Sequence, residues 1–103
     1  MKTELSIYLD YRNAMTQARQ LDEAAGILSH QAENLDNCCI EIASAWDGED
    51  SENYIRKARL LGEKLTNAAR NTRIAADTIR GIAEKTYQAE KTALQIASAR
   101  TYR

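Results

Sequence analysis

The sequence predicts an all-α fold: an antiparallel two-helix hairpin forming one domain over residues 1–103. Three observations predict it. The chain has no proline and only four glycines, which suits long helices and disfavours a turn-rich sheet protein. Its apolar residues recur four and three apart along two long stretches, which is the rhythm of helices packed lengthwise. Between the stretches lies a single break, Trp46-Asp47-Gly48. The reading places helix 1 at about 3–45, the turn at 46–50 and helix 2 at about 51–100.

The first helix carries an unbroken seam: Ile7, Tyr11, Ala14, Ala18, Leu21, Ala25, Leu28, Ala32, Leu35, Cys39, Ile42 and Trp46. Large side chains alternate with small ones along it, so two helix axes can approach closely while the larger groups interdigitate. Gly26 costs about 1 kcal/mol relative to alanine in a helix interior, a loss that a seam this long absorbs.

At the turn, Gly48 supplies the freedom for φ > 0 that a helix end needs, and Asp47 and Asp50 can accept from unpaired N–H groups of the next helix. Trp46 ends the first rhythm, so its ring is expected to pack where the helices meet. A hinge this short permits only an antiparallel return.

The second helix repeats the rhythm through Tyr54, Ala58, Leu61, Leu65, Ala68, Thr72, Ala75, Ile79, Ile82, Thr86, Ala89, Ala93 and Ile96. A further apolar stripe runs beside it at Ala69, Ala76, Ala83, Tyr87, Leu94 and Ala97, broken by Arg73, Arg80 and Glu90. Ala24, Ile27, Cys38 and Ala45 form a thinner counterpart on the first helix. A lone hairpin covers one seam per helix, and two helices alone bury little apolar surface against chain entropy. Pairing into a four-helix bundle is therefore expected, with Ala69, Ala76, Ala83 and Leu94 as the dimer interface.

The chemistry of a catalyst is missing from this pattern. His30 is the only histidine and falls off the seam. Cys38 and Cys39 are neighbours that point about 100° apart on a helix, so they can neither bridge each other nor share one metal ion. No glycine-rich phosphate loop and no paired carboxylate site is present, and the expectation is a protein that is not an enzyme and uses no cofactor. Residues 1–47 carry three bases against eight acids, a net −5, and residues 48–103 carry eleven against seven, a net +4. The bases of the second helix alternate with Glu63, Asp77, Glu84 and Glu90, which reads as complementary solvated faces and excludes a nucleic-acid arm. No apolar run approaches the roughly 20 residues of a membrane span. The N-terminal MKTELSIYLDYRN lacks the apolar core of a cleavable signal peptide.

With Trp46-x-Gly48 at the central turn of a two-helix chain of about this length, the sequence resembles the WXG family, the small early-secreted-antigen-like proteins of type VII secretion. The resemblance implies a hairpin made in the bacterial cytoplasm, which dimerises and leaves the cell folded without a cleaved signal. Its implied partners are a second copy, a related helical-hairpin protein and the secretion ATPase. In the family a C-terminal Tyr-x-x-x-Asp/Glu element serves as the secretion signal. Here Tyr87 is followed by Glu90 one place early, with Lys91 at the expected acid position. That departure suggests a variant reading, in which the hairpin accompanies a larger LXG-type secreted toxin that completes the signal.

Overall fold

The computed structural model describes residues 2–46 and 48–101 and consists of two antiparallel helices. Helix α1 runs Glu4–Ala45 and helix α2 runs Glu49–Thr101, within two residues of the expected bounds. Thr3 starts α1 as its cap: the Ser6 N–H donates to Thr3 Oγ1 at 3.1 Å, and the Ser6 hydroxyl donates back to the Thr3 carbonyl at 2.9 Å. Trp46 N–H closes α1 on the Ile42 carbonyl at 2.9 Å.

Gly48 makes the turn at φ 127°, a conformation that side-chain-bearing residues rarely adopt. The hydroxyl of buried Ser51 donates to the Gly48 carbonyl at 2.9 Å and anchors the start of α2. Glu49, Asp50 and Glu52 occupy that first turn, where negative charge complements the helix dipole. Asp50 thus lies inside α2, whereas the sequence reading placed it in the turn; Asp47 lies outside the described residues. Replacing Gly48 by alanine is expected to cost about 1–3 kcal/mol in urea melts, because the strain is in the backbone and no neighbouring atom crowds the site.

The hairpin divides into two compact units. In the turn-proximal unit, Asp22–Arg73, α1 contributes Ala25 and Cys39 to the buried seam and α2 contributes Ser51, Ala58 and Ala69. Leu28, Leu35, Ile55 and Leu65 are half-buried around them. Arg73 donates across the helices to Ser29 Oγ at 3.2 Å. In the distal unit, Met1–Leu21 with Ile74–Arg103, Ile7 and Ala18 of α1 are buried together with Ala76 and Ala83 of α2.

The α1 seam matches the sequence reading along its length, apart from Trp46. The α2 seam matches only at Ala58, Leu65, Ala68, Thr72 and Ile79. Its inward residues in the distal unit are Ala76, Ala83, Tyr87, Leu94 and Ala97, while Ala75, Ile82, Thr86, Ala89, Ala93 and Ile96, expected in the seam, are exposed. Ala69 is likewise buried in the turn-proximal unit, and Tyr54 and Leu61 face outward there. The proposed dimer-interface residues Ala69, Ala76 and Ala83 are therefore core positions of the hairpin itself, with Leu94 half-buried beside them. The reason is helical phase. A strict seven-residue repeat drifts about 20° per heptad on a straight helix, and a helix that stays facing its neighbour must take an occasional extra step of four. Thr72, Ala76 and Arg80 are two such steps in succession, all at least half-buried.

Candidate interaction site

The distal unit holds a polar cluster between its two helices. Tyr87 projects from α2 against Tyr11 of α1, with ring centroids 4.8 Å apart and planes tilted by 40°. The Lys91 ammonium sits 5.2 Å from the centre of the Tyr87 ring, within cation–π range. Glu90, one turn from Tyr87, is held by Lys2: the ammonium donates to Glu90 Oε1 at 3.2 Å and to Asp10 Oδ2 at 3.1 Å. Glu90 Oε2 is shut off from solvent and meets the same ammonium at 3.2 Å. The three residues of the candidate secretion signal, Tyr87, Glu90 and Lys91, thus form one cluster, half-buried against α1. The sequence reading did not identify Lys2, Asp10 or Glu84 as parts of it, because only the register between the helices brings them there.

Electrostatics tie this cluster to pH. The hydrogen bonds to Asp10 and then Glu90 raise the Lys2 pKa above that of a free lysine. The Tyr11 hydroxyl donates to Glu84, and that bond with the adjacent carboxylate charge raises the tyrosine pKa. Both groups keep their protons more tightly when folded, so their contribution is fully present below the ordinary pKa values of Lys and Tyr and is lost as pH rises through the raised ones. Urea midpoints are expected to fall above about pH 10, and a double Lys2→Met, Tyr11→Phe variant is expected to flatten that fall.

At the turn, Trp46 is 49% exposed, which corrects the expectation of a ring packed where the helices meet. α1 ends at Ala45, so Trp46 is the first residue beyond the helix and its ring is not held in the seam. Trp46→Ala is expected to cost about 1–2 kcal/mol, below the 3–5 kcal/mol of a fully buried ring. As the only tryptophan, it is also expected to be quenched readily by acrylamide.

His30 and Cys38 are exposed and Cys39 is buried, as their seam positions predict. Among the described residues no group of three or more His, Cys, Asp or Glu could hold a metal ion. No helix of the described residues is long and apolar enough to cross a membrane. Large apolar side chains more than half exposed occur on both helices: Ile27, Ile40, Tyr54, Leu60 and Leu61 in the turn-proximal unit, and Leu5, Ile74, Ile82 and Ile96 in the distal unit. Exposed apolar side chains recurring along one helix mark a surface for another protein. Two long antiparallel helices joined at a glycine turn define the class of this arrangement, the helical hairpin. No family model, curated protein or solved structure matches the chain.

Proposed function

We propose that this chain is a non-enzymatic substrate or partner protein of a bacterial type VII secretion system, exported folded and acting through a four-helix assembly. The observation that carries the reading is the half-exposed Trp46, followed two residues later by the positive-φ Gly48 at the turn between two long antiparallel helices. A tryptophan at such a tip is free to be recognised, and the exposed side chains of α2 supply an apolar face for pairing.

Within this reading, the cluster at Tyr87 favours the accessory role beside a larger LXG-type toxin. Glu90 is tied to Lys2, and Tyr87 leans on Tyr11 beneath Lys91. A signal held inside its own hairpin is poorly placed for a receptor, and a partner chain that carries the signal removes the difficulty.

The test is export. The tagged chain is expressed in a bacterium with a working type VII system and in a derivative lacking the secretion ATPase. The expected result is chain in the culture supernatant of the first and only in the cytoplasm of the second, with Trp46→Ala lowering export while the fold persists. Supernatant chain that does not depend on the ATPase would sink the proposal.

A further inference from the structure

Two phenols meet across the helices of the distal unit. Tyr11 of α1 and Tyr87 of α2 are both half-buried, with ring centroids 4.8 Å apart and planes tilted by 40°. Aromatic pairs span centroid distances of about 4.5–7 Å, so this pair is at the close end of the range. The two rings have different charged neighbours. The Tyr11 hydroxyl donates to the Glu84 carboxylate, while the Lys91 ammonium lies 5.2 Å from the centre of the Tyr87 ring.

From this geometry we propose that Tyr11 and Tyr87 are an oxidative cross-linking site, joined ring to ring as dityrosine by hydrogen peroxide turned over by a haem peroxidase. Each phenol gives up its O–H proton and one electron and becomes a tyrosyl radical. The two radicals combine through one ring carbon beside each oxygen. The hydrogens on those carbons then pass to the oxygens as the rings regain aromaticity. One carbon–carbon bond forms, the protein loses two hydrogens in all, and the peroxide is reduced to two waters. The inference draws on the distal rings alone and does not rest on the secretion reading.

Three features of the pair favour this chemistry. A phenol holds its proton up to about pH 10, so oxidation at neutral pH needs a group to take that proton, and the hydrogen-bonded Glu84 carboxylate is one. The Lys91 ammonium is attracted to the electron density of the Tyr87 ring and resists its withdrawal, so the first radical forms on Tyr11. The fold holds that radical against its partner ring. In an unfolded chain the same meeting would require closing a loop of roughly 75 residues. Tyr8 is the competing ring: it borders a cleft with Tyr87, but among the described residues no ring contact joins the two.

The test treats the full chain with peroxidase and hydrogen peroxide, after its Cys38 thiol has been capped with iodoacetamide. Exposed Cys38 would otherwise consume oxidant and join chains. The expected product has lost two hydrogens, runs as a single chain, shows dityrosine fluorescence and yields one linked peptide pair holding Tyr11 and Tyr87. Tyr11→Phe and Tyr87→Phe are each expected to abolish that product with circular dichroism unchanged, and Tyr8→Phe to leave it. Unfolding in urea before oxidation is expected to lower the share of linked tyrosine found between Tyr11 and Tyr87 by about five-fold or more. Glu84→Gln, which still accepts a hydrogen bond but takes a proton poorly, is expected to slow the link several-fold. Absence of the link in the folded chain overturns the proposal. So does a link through Tyr8, links between chains only, equal shares from folded and unfolded protein, or a Glu84→Gln chain that links as fast as the wild type.

Discussion

Replacing Ala76 by arginine is expected to cost about 3–5 kcal/mol, whereas the same replacement at the adjacent Ala75 is expected to change stability by no more than about 0.5 kcal/mol. Ala76 is fully buried between the helices and Ala75 is exposed on the far side of α2. Arginine and alanine are both good helix formers, so intrinsic propensity separates the two variants little. At position 76 a guanidinium would have to leave water and force apart two helices that approach over alanines. At position 75 it would extend into solvent. Urea melts followed by circular dichroism read the difference directly. If both variants unfold alike, α2 is not oriented as described; if Ala75→Arg alone unfolds, the strict seven-residue seam is the true one.

The second large effect is expected at Ile7. Among the buried core residues it is the bulkiest, 3% exposed near the start of α1, where it meets the distal part of α2. Truncation to alanine removes three carbons from a site that borders the open cleft. A loss of about 2–4 kcal/mol is expected, toward the lower end if the cleft can collapse around the gap. Hydrogen exchange would locate the damage. Amides of residues 4–21 and 76–97 should lose protection before those of the turn-proximal unit.

Much of the fold was legible in the sequence, because an unbroken apolar rhythm and the absence of proline leave few alternatives to two long helices. The seam of α1 was legible too, since only one apolar stripe on that helix is continuous. On α2 two stripes compete. Periodicity alone does not say which one meets α1, and small residues gave the inner stripe the look of a thin surface. The isoleucines at 82 and 96 suggested core and lie outside; the alanines at 76 and 83 suggested surface and lie inside. Close helix approach selects alanine over isoleucine, and that preference is a property of the pair of helices, invisible in either one. The polar cluster was half legible: Tyr87, Glu90 and Lys91 stand close in sequence, but Lys2 reaches Glu90 from 88 residues away. The exposure of Trp46 was not legible, because an aromatic ring at the end of a seam looks like its last core residue.

Among the described residues no side chain larger than that of Cys39 is fully buried. The consequence concerns lifetime in the cell. A core of alanines with one cysteine and one isoleucine leaves a low barrier to local opening, and proteases cut backbone that opens. A binder that covers the outer face of α2 would suppress opening in proportion to its concentration over its Kd. Copies made in excess of that binder are therefore expected to be degraded first, so that turnover itself keeps the two proteins in step.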